Sequence, residues 1–114
     1  MSTPLAHLLS APEEQQLSRA AQFDQACFET IVAMANATGG VLVLTDLSEE
    51  AALKNGLQKL STSTQPAILP ERERHEIDGR HVVLLHIPEA PLKPVTVFGK
   101  SLQRRGAMNY VLSA

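Results

Sequence analysis

The sequence predicts an α+β domain in which helices pack on a mixed, mostly antiparallel sheet. Three observations support this prediction. Residues 23–37 have the apolar spacing of a buried helix and lead through a glycine pair into the continuously apolar residues 41–44. A second, amphipathic helical pattern covers residues 48–60, and an Asp78-Gly79 pair lies between two strand-like stretches. Helices followed by a run of hairpin-connected strands are typical of the α+β class.

The chain begins with weaker patterns. Three leucines, at positions 5, 8 and 9, predict a helical extension over residues 1–12 whose apolar side docks on the domain. Residues 13–20 are polar and lack a clear period. The sequence therefore leaves open whether residues 13–20 are helical or extended.

The helix predicted over residues 23–37 should be mostly buried, because its apolar side chains recur at the i, i+3 and i+4 spacing. Cys27, the only cysteine, is accordingly predicted to be a small buried hydrophobe rather than a nucleophile. Gly39 and Gly40 are expected to end this helix, since glycine tolerates the left-handed conformation that closes the last helical carbonyls. Asn36 is expected to hydrogen-bond the turn that it precedes.

The second helix is predicted to begin after Ser48, whose hydroxyl caps it, and to stop near residues 61–64 ahead of Pro66. Further on, Asp78-Gly79 predicts a two-residue hairpin turn that pairs Ile77 with Arg80. Acid–imidazole pairs then face each other across the strands, and they are either proton-transfer or metal fragments or, more commonly, sheet-stabilising pairs. These pairs are Glu76 with His81 and Glu71 with His86.

Charge is distributed unevenly along the chain. Residues 1–89 hold six Lys or Arg against twelve Asp or Glu, whereas residues 90–114 hold four cations and no acid, so the two parts carry −6 and +4. The four cations, Lys93, Lys100, Arg104 and Arg105, are candidates for an anion-facing surface. Neighbouring side chains on a strand point to opposite faces, so one of the two arginines is expected to be exposed. The alternative is that these cations pair with the acidic remainder of the chain.

The bulk properties bound the class of protein. A chain of 114 residues fits one domain over residues 1–114, and its single cysteine allows no internal disulfide. No apolar run approaches the roughly 18 residues that span a bilayer, and no signal peptide is recognisable. We therefore expect a soluble cytoplasmic protein without a membrane partner.

Several short motifs follow one another in a characteristic order. They are Ala33-Met34-Ala35-Asn36-Ala37-Thr38-Gly39-Gly40 with its strand, Gln65-Pro66, the Asp78-Gly79 hairpin, and Lys93-Pro94-Val95 leading to Arg104-Arg105-Gly106-Ala107-Met108-Asn109. Over about residues 13–110 this set resembles the Schlafen/AlbA-like domain family, in which a helix ending in AFANT-x-GG precedes a buried strand and a later P-V … R-x-G-S segment closes the domain. The resemblance implies that Asn36, Gly39, Gly40 and Gly106 are structural motif positions.

The resemblance also bears on catalysis. Some Schlafen proteins cleave RNA with a metal held by two glutamates five residues apart and a later aspartate. Here Glu13 matches the first glutamate, Ser18 stands at the second, and Asp46 lies about one position from the aspartate. Glu13 and Asp46 are thus the surviving candidates of a degenerate nuclease site, or else ordinary solvated acids. We expect no catalysis, no bound metal and no cofactor.

Three hypotheses of function remain. The leading one, which the resemblance implies, is a non-catalytic nucleic-acid-associated module of the kind found in bacterial transcriptional regulators. It binds DNA or RNA weakly and without sequence specificity, with Lys93, Lys100, Arg104 and Arg105 as the candidate nucleic-acid-binding residues. The chain has no tryptophan, one tyrosine and three phenylalanines, so recognition of single strands by stacking is expected to be poor. The second hypothesis is an interaction module that forms a homodimer or another homo-oligomer. The third is a degenerate metal-dependent nuclease.

Overall fold

The protein is described by a computed structural model that covers residues 9–46, 50–77 and 79–112. Two helices and eight strands make up the described part of the chain. In order they are β1 (Leu17–Ala20), α1 (Gln25–Ala35), β2 (Gly40–Leu44), α2 (Glu50–Ser63), β3 (Thr64–Gln65), β4 (Glu71–Ile77), β5 (Arg80–Ile87), β6 (Thr96–Val97), β7 (Lys100–Arg105) and β8 (Met108–Val111). The predicted α+β class is confirmed.

The first sheet has the strand order β1-β2-β5-β4 and is buried on both faces at its centre. β1 runs parallel to β2, and the other two pairings are antiparallel. One face packs on the helices through Leu42, Leu44 and Leu85, while Val43 and Leu84 face the opposite side, where the described N-terminal residues pack. Burial on both faces explains why residues 41–44 are continuously apolar.

The second sheet has the order β3-β6-β7-β8 and is antiparallel throughout. Its inner face packs on α1, whose side chains from Ile31 to Met34 are fully buried, so α1 lies between the two sheets. Val97 and Leu102 point inward from this sheet. The strands are thus divided between two four-stranded sheets that share one core.

The end of α1 follows the predicted glycine signal. Gly39 has φ +80°, and its amide donates to the carbonyl of Met34 over 2.8 Å. A Cβ on Gly39 would lie 2.6 Å from the carbonyl oxygen of Ile87, so this position needs glycine both for its conformation and for its space. The helix therefore ends where β2 can enter the sheet directly.

The structure also decides elements that the sequence left open. Residues 17–20 are a strand, not a helix, because β1 pairs with β2 over its whole length. The β4–β5 register is confirmed, with Glu71 opposite His86 and Ile77 opposite Arg80. Leu5 and Leu8 of the predicted N-terminal helix, the predicted helix cap Ser48 and the turn residue Asp78 lie outside the described residues. Of the helices that are described, none has the length and apolar character needed to cross a membrane.

Candidate nucleic-acid interface

The two adjacent arginines of β7 lie on opposite faces of the second sheet, as the alternation of a strand requires. Arg104 is 3% exposed and points toward the core, whereas Arg105 is exposed to solvent. The prediction that one of the pair is exposed is therefore confirmed, and Arg105 is that residue. The four predicted binding cations consequently do not form one patch.

The guanidinium of Arg104 is bound by the protein itself. Its Nε and Nη2 both donate to the carbonyl of Glu14, at 3.2 and 3.0 Å, and Nη2 also donates to the carbonyl of Leu17 at 3.1 Å. Nη1 donates to Asn109 Oδ1 at 2.9 Å, and the Glu13 carboxylate lies 3.7 Å away. Burial lowers the pKa of Arg104 and Glu13 opposes this, but arginine stays charged in proteins. Arg104 thus fastens β7 to the chain entering β1 rather than facing a ligand.

The two predicted lysines are also engaged. Lys93 Nζ donates to the carbonyl of Ala37 at 3.1 Å and pairs with Glu89 at 2.6 Å, so its charge lies beside the end of α1, where a cation is favourable. Lys100 Nζ pairs with Glu29 of α1 at 2.7 Å. These contacts match the alternative in which the cations of the last part of the chain pair with acids elsewhere.

The outer face of the second sheet has a different character. Arg105 stacks over the Tyr110 ring at 5.7 Å from its centroid and donates to Gln103 Oε1 at 3.4 Å. None of the four strands contains Asp or Glu, and Tyr110 is 47% exposed. We call this surface the open face; its side chains are Gln65, Thr96, Ser101, Gln103, Arg105, Met108 and Tyr110. Within the ranges that the structure describes, its one cation, Arg105, has no carboxylate partner, and beside it lie one aromatic ring and several uncharged hydrogen-bonding groups.

The Asn36 side chain forms hydrogen bonds with residues that are much more distant in sequence than we predicted. Its Nδ2 donates to the carbonyls of Val95 and Leu102 at 2.9 and 2.8 Å, and its Oδ1 accepts from the amide of Val95 at 2.7 Å. The prediction that Asn36 bonds the turn it precedes is corrected, because these partners lie 59 and 66 residues further along. Asn36 fastens the end of α1 to β7, whereas Gly106, with φ +56°, forms the β7–β8 turn.

The surviving candidates of a nuclease centre lie apart. Glu13 Oε1 accepts a hydrogen bond from Ser18 Oγ at 2.7 Å, so the two aligned positions do meet. Asp46, however, lies two residues beyond the end of β2, and that end is itself two positions past the residue opposite Ser18. Within the described residues no group of three His, Cys, Asp or Glu side chains could hold a metal ion. A divalent metal needs several hard oxygen ligands, so the residues present do not fit one.

A histidine–glutamate cluster lies on the exposed part of β4 and β5. Glu73 Oε1 contacts His86 Nε2 at 2.7 Å, and Glu73 Oε2 contacts His75 Nε2 at 3.1 Å. The predicted partner of His86 was Glu71, which lies directly opposite it in the strand register. The His86 side chain instead contacts Glu73, its diagonal neighbour on β4. The hydrogen bonds from His75 and His86 lower the pKa of Glu73. The two imidazoles reach a shared carboxylate from opposite sides, an arrangement that stabilises the sheet rather than binding metal.

All three phenylalanines of the chain come together beside α2, a grouping that the sequence did not predict. Phe23 and Phe28 pack edge to face at 5.3 Å, and Phe28 and Phe98 are nearly parallel at 14° and 6.2 Å. They form one wall of a cavity of about 380 Å³. A glycine inside the second helix was a signal for this grouping: the missing side chain of Gly56 makes room for the Phe23 ring, and a Cβ there would clash with Phe23 Cδ2.

Comparisons with known proteins agree with this architecture. The family described as Schlafen, AlbA_2 matches residues 12–113. No curated protein matches the chain significantly.

Two solved structures are similar in fold. The N-terminal domain of a RecG-related protein from Nitrosomonas europaea, solved by NMR, has a TM-score of 0.61 at 20% identity, over 96% of this chain and 86% of that one. The DIP2311 protein from Corynebacterium diphtheriae has a TM-score of 0.60 at 15% identity, over 76% of this chain. This chain spans only 17% of the length of the Corynebacterium protein.

Proposed function

Because the chain belongs to the Schlafen AlbA_2 family, which is nucleic-acid associated, we propose that it is a non-catalytic module that binds DNA or RNA through the open face. The binding is weak and does not read sequence. It depends on phosphate contacts from arginine, whose planar fork donates two hydrogen bonds, and on the uncharged side chains beside it.

The observation that carries the proposal is the Arg105–Tyr110 pair on a sheet whose strands contain no acid. A phosphate approaching this face meets a guanidinium with no carboxylate to compete for it. Tyr110 adds an exposed ring that keeps the guanidinium in place through a cation–π contact. Ser101 and Gln103 lie along the same row and supply neutral hydrogen bonds to the backbone of a bound strand.

The other predicted cations have secondary roles in this proposal. The carboxylates that pair with Lys93 and Lys100 are 52% and 31% exposed, and exposed ion pairs contribute only about 0–1 kcal/mol. A phosphate can therefore replace either partner at little cost. Arg104 acts as a positioning residue that holds β7, and with it Arg105, against the body of the domain.

The non-catalytic part of the proposal is supported by the surroundings of Glu13. A serine hydroxyl and the Arg104 charge lie beside its carboxylate, while Asp46 lies beyond the end of β2. Incubation with RNA and DNA in magnesium or manganese should give no cleavage. Cleavage that disappears in Glu13→Ala would contradict this part of the proposal and leave the binding part standing.

A salt titration tests the binding. Fluorescence anisotropy of labelled single strands and duplexes should give an affinity that falls as salt rises. On a single strand, Arg105→Gln should reduce the steepness of the log–log plot by about 0.7 for each phosphate that the variant no longer neutralises. Arg80→Gln is the matched control, because Arg80 is an exposed arginine on the other sheet. Binding that ignores salt, or that Arg80→Gln weakens as much as Arg105→Gln, would sink the proposal.

The finer role that we propose is to serve a transcriptional regulator as its nucleic-acid-contacting part. Expression of a reporter that depends on the whole regulator should change in Arg105→Gln and stay unchanged in Arg80→Gln. An equal response of the reporter to both substitutions would remove this role.

A second candidate function, self-association, is favoured by the edge strand β8. β8 is last in its sheet, carries no charge, and exposes Met108 by 59% and Val111 by 62%. Unprotected edges of this kind pair with other strands, whereas β4, an edge of the first sheet, is protected by its charges. Light scattering at high concentration should detect dimers that Val111→Lys removes. A monomer at every concentration would count against this candidate.

A further inference from the structure

The cavity beside α2 has two chemically different walls. One wall is the aromatic cluster of Phe23, Phe28 and Phe98. The other is a single stripe of α2, whose members recur at helical spacing and are mostly small or polar: Ala52, Asn55, Gly56, Lys59 and Ser63. At about 380 Å³ the cavity falls within the range of roughly 300–1,000 Å³ in which small ligands bind.

The polar wall has free hydrogen-bonding capacity. Within the described part of the chain, neither the Asn55 amide nor the Lys59 ammonium has a side-chain hydrogen bond or ion pair. Asn55 can donate and accept at once, and Lys59 can donate to an oxygen or to a phosphate. The single acid at the rim, Asp24, is occupied because its carboxylate accepts from the amide of Cys27 at 3.2 Å.

The aromatic wall is held open to solvent at one ring. Phe98 is 43% exposed and has φ +52°, a left-handed conformation that is unusual for a bulky side chain. Its ring lies nearly parallel to that of Phe28 and forms part of the lining of the cavity. A flat ligand that enters the cavity gains an aromatic surface on one side and amide, ammonium and hydroxyl groups on the other.

We propose that this cavity accepts one base of a single-stranded nucleic acid, stacked on Phe98, with Asn55 reading its polar edge and Lys59 meeting the adjoining phosphate. The inference rests on the proposed function, and it names a second contact point for the same strand. Phe98 lies in the turn that precedes β7, and Arg105 is the last residue of β7. The two contact points are therefore about 20 Å apart along this β-strand of the protein. Stacking on an aromatic ring tolerates every base, which agrees with binding that does not read sequence.

The test compares strands with and without bases. A labelled oligothymidylate and an abasic strand of equal length carry the same phosphates, so only the first can use the cavity. Phe98→Leu should weaken oligothymidylate binding by about five- to 150-fold, the range for one stacked base, and should leave binding of the abasic strand unchanged. Phe98→Tyr keeps the ring and should bind as the unmodified chain does. Leu92→Ala is the control, since Leu92 is an exposed apolar side chain that does not line the cavity.

A second measurement locates the base. Addition of thymidine monophosphate should shift the backbone amide NMR signals of Gly56, Lys59 and Phe98, while those of Leu92 stay fixed. If Phe98→Leu and the unmodified chain bound oligothymidylate with equal affinity, the proposal that the cavity accepts a base would be wrong, even if Arg105→Gln still weakened binding. If neither substitution weakened binding, both the cavity and the open face would be wrong.

Discussion

Replacement of Arg104 by methionine tests most directly how the two sheets are held together. Methionine preserves much of the side-chain volume but removes every donor, so the Oδ1 of Asn109 loses its partner, and the carbonyls of Glu14 and Leu17 each keep only the backbone amide of the other residue. The Leu17 carbonyl stays satisfied by the amide of Glu14, so its lost hydrogen bond costs about 0.5–1.5 kcal/mol. The other two acceptors are reached partly by water, and each loses about 0.5–1.5 kcal/mol.

These contributions give an expected loss of about 1.5–4.5 kcal/mol in the free energy of unfolding for Arg104→Met, which is a large share of the roughly 5–15 kcal/mol of a small domain. Arg104→Lys keeps the charge but cannot reproduce the fork, so it should lose about half as much. Arg105→Met removes an exposed cation–π contact and one long, exposed hydrogen bond to Gln103, and it should lose about 0.5–1 kcal/mol.

Urea unfolding followed by circular dichroism measures all three variants, and the midpoint concentration should fall in the order Arg105→Met, Arg104→Lys, Arg104→Met. A loss below about 1 kcal/mol in Arg104→Met would show that the fork does not hold the sheets together. If Arg104→Lys bound nucleic acid more weakly but was as stable as the unmodified chain, the structural role of Arg104 would also be refuted, because Arg104 would then be a phosphate contact.

Three further predictions concern single side chains. Asn36→Ala removes three buried hydrogen bonds and should lower the free energy of unfolding by about 3–5 kcal/mol in the same urea assay, whereas a loss near zero would mean that the amide is dispensable. Burial raises the pKa of Cys27 to about 11, so at neutral pH its thiol should react with a disulfide reagent only as fast as the domain unfolds; rapid labelling of the native protein would contradict this. The pKa of Glu73 lies below its ordinary value of 4.5, so its contribution to stability exists above that value and is lost as the pH falls through the lowered pKa. Glu73→Gln should therefore be less stable than the unmodified chain at about pH 6, and the difference should shrink as the pH falls below 4.5; a difference that does not vary with pH would contradict the assignment.

Local signals predicted the local structure well. The helix of residues 23–37 is observed as Gln25–Ala35, and the glycine pair ends it as expected. The hairpin register between β4 and β5 follows from the Asp78-Gly79 pair. In each case the interactions that determine the structure join residues that are close in sequence, so the local residue pattern is enough to predict them.

What the sequence could not supply is the pairing of distant residues. Strand alternation required one exposed arginine, but only the packing of β7 on α1 decides that Arg104 is the buried one. The three phenylalanines are spread over 76 positions, and counting them indicated a poor stacking surface, yet the fold gathers them at one cavity. The same holds for Asn36, whose partners lie in a loop and a strand that local rules do not connect to a helix end.

The bonds of Asn36 also impose an order in time. Its partners follow it by 59 and 66 residues, and a ribosome adding about 5–20 residues per second delivers them roughly 3–13 s later. During that interval α1 has left the ribosome, but the second sheet, which covers one side of it in the finished domain, has not been completed. Side chains of α1 that are buried nearly all around in the native structure are then still exposed. We therefore expect nascent chains that stop before β7 to be bound by chaperones or degraded, and the native fold to form in one late step once Leu102 is available.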